Sequence, residues 1–340
     1  MDGDGGDDTN AVIGVGVVIA ALGVITVALR FYVRYKKRAG FKWDDWLILT
    51  SLLLALGTDV LVLYSNIINP TDPELGDDDD LNSPADILFN QFSFAATVLY
   101  FSITSTTKLS ILLLYNRLFS VSRKFRRQVI ILSILVINYW LGSTIADLLN
   151  CIPIKYVWIN GKDDPRFCFD LNIFWFATGV AEAFIDVLIL LLPIGVVAKL
   201  QLSAKKKVAT GSVFAVGAFV IVSGLLKAIY GFDSGSRVPA FARTRLWSTV
   251  HSGTGIICAC LPVCWPVFVS LSRFRDRVWS RGIEAFGRRY SWSGWSLLRT
   301  DRVQKESAAK HGSPPDTSRE VKMLSLNGTA MEAFEVEFEV

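Results

Sequence analysis

Seven long apolar runs constrain this chain more than any other feature. They extend approximately from Ala11 to Leu29, Trp46 to Ile67, Phe92 to Leu114, Val129 to Leu148, Ile173 to Ala198, Val213 to Tyr230 and Leu246 to Leu271. Each is about 20 residues or a little longer, enough for a helix to cross a hydrocarbon layer of about 30 Å. Within hydrocarbon every backbone polar group must be satisfied internally, so such runs become helices. The expected fold is therefore all-α, a polytopic membrane protein with seven transmembrane helices, and the lipid bilayer is its first partner. Residues Met1 to Asn10 carry four aspartates and no Lys or Arg ahead of the first run. That is not a cleavable signal peptide, and the first run is expected to stay as a helix.

The net charge of +4 does not point to nucleic acid, because Lys and Arg sit in short blocks at the ends of the apolar runs, as topology signals do. The first loop holds Arg30, Arg34, Lys36, Lys37, Arg38 and Lys42, the third Arg117, Arg123, Lys124, Arg126 and Arg127, and the fifth Lys199, Lys205, Lys206 and Lys207. The N-terminus and the acidic second loop from Asn69 to Asp86 hold none. The alternation predicts an outside N-terminus over residues 1–10, a helical domain over 11–271 and a cytoplasmic C-terminus, with the plasma membrane as the expected location. In residues 272–290, Phe274, Val278, Trp279, Ile283 and Phe286 alternate with arginines as an amphipathic inner-leaflet segment. Residues 291–340 read as a disordered cytoplasmic tail.

Cys151 and Cys168 fall together in the fourth loop, on the oxidising side, and are expected to form a disulfide, free thiols being the alternative. Cys258, Cys260 and Cys264 lack ligand-like spacing and read as packing residues. The sequon at Asn327 lies in the inside tail and is expected to be silent.

Charged or titratable residues inside the runs are the candidates for function. They are Asp59, Lys108, Asp147, Glu182, Asp186, Lys227 and His251. Helix rise places Lys108 on the order of 10 Å above the basic border and Asp186 at a similar height. Asp186 is thus the expected partner of Lys108, with Asp44 and Asp45 as rivals that its long stem could reach. Asp59 lies about 20 Å up its helix, with Glu182, Lys227 and His251 also at or above mid-membrane. The reading is two layers. An inner ion-pair layer contains Lys108, Asp186, Asp44 and Asp45, either a packing device or a switch. An outer polar layer contains Asp59, Glu182, Lys227 and His251, either a ligand pocket or a set of interhelical hydrogen bonds.

Several stretches together resemble one known family. They are Asp44-Asp45-Trp46, Lys108-Leu109-Ser110-Ile111-Leu112 with Tyr115, Arg117 and Phe119, and Cys151-Ile152-Pro153 followed by Trp158 and Cys168. They continue with Asp186 ahead of Leu192-Pro193-Ile194, Gly217-Ala218-Phe219-Val220, and Trp247 followed by Gly255 through Pro262. This set is similar to the fungal rhodopsin-domain integral membrane proteins, which include pathogenicity-type receptor-like and satratoxin-cluster types. The resemblance implies a seven-helix, receptor-like fold. His251 stands where that pattern usually has glutamate, and Lys227 where arginine is common, which implies an altered ligand.

The expected function is a G-protein-coupled-receptor-like sensor of an unknown small molecule, with a heterotrimeric G protein as its expected partner. The alternative is a transporter or accessory membrane protein of a secondary-metabolite pathway. No enzyme is expected: the two histidines, His251 and His311, cannot assemble a multi-histidine metal site, and no Gly-x-Ser-x-Gly elbow is present. No cofactor is expected either. Retinal is excluded because the seventh run contains no lysine to carry it.

Overall fold

A computed structural model describes residues 4–68, 84–119, 123–159, 166–194, 204–233, 235–239 and 244–265. Among these, seven helices are long and apolar enough to cross a membrane. They are α1 (Asp4–Lys36), α2 (Trp43–Ile68), α3 (Pro84–Phe119), α4 (Arg123–Leu148), α5 (Leu171–Leu191), α6 (Ala204–Gly231) and α7 (Thr244–Trp265). The acidic run Asp77 to Asp80, Pro266, the segment at 272–290 and the tail at 291–340 lie outside the described residues.

Local chemistry accounts for the helix ends. Asp44 and Asp45 occupy the first turn of α2, where the helix dipole favours negative charge. The Asp170 side chain caps α5 by accepting from the Ile173 amide at 3.0 Å. Helix α3 begins at Pro84, eight residues before the expected start, because proline suits the first helical position and the polar Asn90 and Gln91 do not interrupt a helix. Asp86, expected in the acidic loop, lies in the first turn of α3. Helix α5 stops at Leu191, just before Pro193, instead of reaching Ala198. Helix α7 continues through Pro262 to Trp265.

Helix α3 is the centre of the bundle: 56% of its membrane-length window is buried, against 17% for α1, α2 and α4. It packs against α2 and α4, while α5 pairs with α6. One apolar core joins α1, α2, α3 and α7 through Val27, Ile48, Ile103 and Ile256, and takes in Cys260 and Cys264 as packing residues. A second joins α3, α4 and α5 through Leu112, Val129, Val136 and Ile185. The outer faces carry exposed Val17, Val18, Ile25, Ile130, Ile131 and Ile134, a surface suited to lipid tails.

The bundle has two chemically distinct ends. At one, Cys151 and Cys168 form a disulfide across a separation of 17 residues. It encloses a short 3-10 turn (Ile154–Val157) and packs with Phe94 and Trp158. At the other, basic end lie the α1–α2 connection, the end of α3 and the start of α4.

Candidate functional site

The functional side chains of α3, α5, α6 and α7 converge in the bundle interior. On α3, Tyr100, Thr104 and Lys108 follow one another at four-residue spacing and so share one face; all three are buried. Glu182 and Asp186 repeat that spacing on α5. Lys108 Nζ lies 3.1 Å from Glu182 Oε1 and 3.0 Å from Asp186 Oδ1. Lys227 Nζ of α6 donates to Glu182 Oε2 and to Tyr100 Oη, both at 2.9 Å, and the Tyr100 hydroxyl donates to the same carboxylate oxygen at 2.9 Å.

Glu182 is fully buried, so this donor set is what makes its charge tolerable. Two lysines and two carboxylates cancel formally. The Lys227 ammonium also lies 4.2 Å from the Tyr100 ring centroid and 4.9 Å from that of Trp175, a desolvated cation–π arrangement.

His251 of α7 closes the cluster. Its Nδ1 is 3.0 Å from the Val220 carbonyl, which can only accept, so Nδ1 carries the hydrogen. Nε2 then faces Glu182 at 3.5 Å and Asp186 at 3.8 Å. Asp186 Oδ2 has no hydrogen-bond partner. It borders a cavity of about 50 Å³ lined also by Thr107, Lys108, His251 and Ser252.

A larger cavity of about 120 Å³ adjoins the cluster, between α1, α2, α3 and α7. Its walls are mostly apolar, from Ile19, Leu52, Leu56, Phe92 and Ile256, with hydroxyls from Thr58, Thr97 and Ser248 and charges from Asp59 and Arg245. Tyr100 is part of this wall too. Tyr100, and Trp175 beside it, thus belong to both the cavity wall and the surroundings of the charge cluster.

A separate ionic cluster closes the basic end. Arg30 of α1 has no exposed surface and donates to Asp45 and Asp44, both at 2.8 Å, and to the Ala259 carbonyl of α7 at 2.7 Å. Arg34 binds the same aspartates at 2.8 and 3.2 Å, while Arg117 of α3 stands off at 3.5 and 3.8 Å. Ser110 donates to the Asp44 carbonyl at 2.6 Å. The two aspartates therefore tie α1, α2, α3 and α7 together.

The comparison with known proteins agrees with this architecture. The fungal rhodopsin domain matches residues 29–270. The chain belongs to the fungal rhodopsin domain family. Among its relatives, "Wortmanamides biosynthesis cluster protein C" of Talaromyces wortmannii is 24% identical over 92% of this chain and 84% of its own length. "Satratoxin biosynthesis SC1 cluster protein 4" of Stachybotrys chartarum is 25% identical over 65% of this chain and 75% of its own length. A SAT4 family membrane protein of Emericella nidulans is 28% identical over 53% of this chain and 46% of its own length. No solved structure matches the chain.

In this fungal rhodopsin domain the two expected layers do not persist as drawn. Glu182, Lys227 and His251, placed in the outer layer, join Lys108 and Asp186 in one cluster, because four residues along a helix is only about 6 Å and a lysine stem spans that distance. Asp44 and Asp45 are not partners of Lys108; the arginines hold them. Asp59 stands apart from the cluster, on the cavity wall.

Some participants are not singled out by the sequence. Arg30 and Arg34 read as loop charges, although their four-residue spacing puts both on one face of a helix. Tyr100 carries no charge to mark it in the sequence, and its signal is its place two turns ahead of Lys108 on the same face.

Proposed function

We propose that this fungal rhodopsin domain is a receptor-like sensor in which a small molecule occupies the cavity between α1, α2, α3 and α7. The observation that carries the reading is Tyr100, which lines the cavity and hydrogen-bonds Lys227 and Glu182. A ligand that displaces the Tyr100 ring changes the hydrogen bonding of a buried carboxylate linked to α3, α5, α6 and α7. Differential contact of this kind is what a ligand needs to shift a conformational equilibrium. The names of relatives point to secondary metabolites as the ligand class. A heterotrimeric G protein at the basic end and the plasma membrane complete the proposal, with the N-terminus outside and no catalytic step.

The test is nucleotide exchange on a heterotrimeric G protein, with the chain in nanodiscs and a panel of fungal secondary metabolites. A metabolite that accelerates exchange through the wild-type chain and not through Tyr100→Phe supports the sensor. Binding of a metabolite with no change in exchange counts against it.

A second reading is a transporter or accessory protein of a metabolite pathway, favoured by the smaller cavity that shares Ser252 with the larger one. Metabolite flux into proteoliposomes, abolished by Glu182→Gln, separates it from a sensor.

A further inference from the structure

Asp59 is the one ligand-pocket candidate that the charge cluster does not absorb. It lies about 20 Å along α2 from Asp44 by helix rise, within the membrane-length part of the helix. It is half-buried on the wall of the 120 Å³ cavity, and among the described residues it has no hydrogen bond or ion pair. An unpaired carboxylate at that depth is costly and calls for a complementary charge.

The cations near the cavity are already engaged. Lys227 is held by Glu182 and Tyr100. Arg245 shares the wall, but its guanidinium carbon sits 5.6 Å from the Phe89 ring centroid, and it has further contacts of its own. Of the charged groups on the wall, Asp59 is the one with neither an ion pair nor a hydrogen bond among the described residues. Around it the wall is apolar, and Phe92 offers an aromatic surface.

We infer that the cavity binds an organic cation, a protonated amine with a small apolar body, its ammonium paired with Asp59. This rests on the cavity being the ligand site. At about 120 Å³ the cavity is slightly smaller than the engineered cavity of about 150 Å³ that admits benzene, so the body is about one ring in size.

Three probes of matched shape test it against the full-length chain in nanodiscs: 2-phenylethylamine, neutral propylbenzene and anionic 3-phenylpropanoate. Affinity is read from saturation-transfer NMR and from ligand-dependent thermal unfolding. The amine is expected to bind at least ten-fold more tightly than either relative. Asp59→Asn is expected to erase that preference and leave propylbenzene binding unchanged. Equal binding of amine and propylbenzene, or a preference for the anion, overturns the cation assignment and leaves the cavity as a ligand site. Absence of binding by all three overturns both. The wild-type order of affinities decides the charge preference even where Asp59→Asn fails to fold.

Discussion

Glu182 on α5 and Lys227 on α6 meet at 2.9 Å, with 0% and 1% of their surfaces exposed. Replacing Glu182 by Gln keeps one acceptor oxygen but removes the carboxylate charge, so Lys227 loses its ion pair and Lys108 keeps Asp186 as its counter-charge. The expected cost is about 3–5 kcal/mol, typical of breaking a buried pair from one side. Lys227→Met in the same chain should recover a large part of it, because the stranded charge is gone. Thermal unfolding of both variants in one detergent is the measurement, and equal loss in single and double variants would refute the pairing.

Lys108→Met should be destabilising for a different reason. Glu182 keeps Lys227, but Asp186 is left with His251 at 3.8 Å. A loss of about 3 kcal/mol is expected, partly reversed by Asp186→Asn, which removes the orphaned charge. A well-expressed, unshifted Lys108→Met protein would count against Asp186 depending on it.

At the basic end, burial separates strong contacts from weak ones. Asp45→Ala takes a 2.8 Å partner from the fully buried Arg30 and should cost about 3–5 kcal/mol. Arg117→Ala removes contacts of 3.5–3.8 Å to the aspartates and a 2.8 Å hydrogen bond to the Ala39 carbonyl, and should cost less, about 1–2 kcal/mol. The two variants compared in one unfolding assay check this difference.

Helices α5 and α6 approach closely at Gly179, where an added Cβ would lie 2.8 Å from that of Ala228. Gly179 is three residues before Glu182, and Ala228 follows Lys227. Gly179→Ala should therefore cost about 1–3 kcal/mol through overpacking and lengthen the Glu182–Lys227 contact. An experimental structure of the variant measures the contact directly.

The disulfide gives a covalent test. Peptide mapping without reduction should recover Cys151 and Cys168 as one cross-linked species, with Cys258, Cys260 and Cys264 available to alkylation after unfolding. Replacing both bridge cysteines by Ser should lower stability by about 3 kcal/mol, the loop-closure value for a ring of this size. Alkylation of Cys151 before reduction would contradict the bridge.

The sequence by itself determined what depends on local composition and on distance along a helix. Seven apolar runs became seven membrane-length helices, the two loop cysteines became a disulfide, and the heights of Lys108 and Asp186 were close enough for contact. Helix ends moved where a proline decided them, at Pro84 and Pro193.

Only the tertiary structure decided which charges share a partner. Rise per residue sets depth along the membrane normal, but not how each helix is rotated about its axis or which way a long stem bends. Those two freedoms brought Glu182 within reach of Lys108 and Lys227 together, turned Arg30 inward onto Asp44 and Asp45, and left Asp59 facing a cavity. They depend on how α3 packs among its neighbours, a long-range property that the spacing within any one helix does not encode.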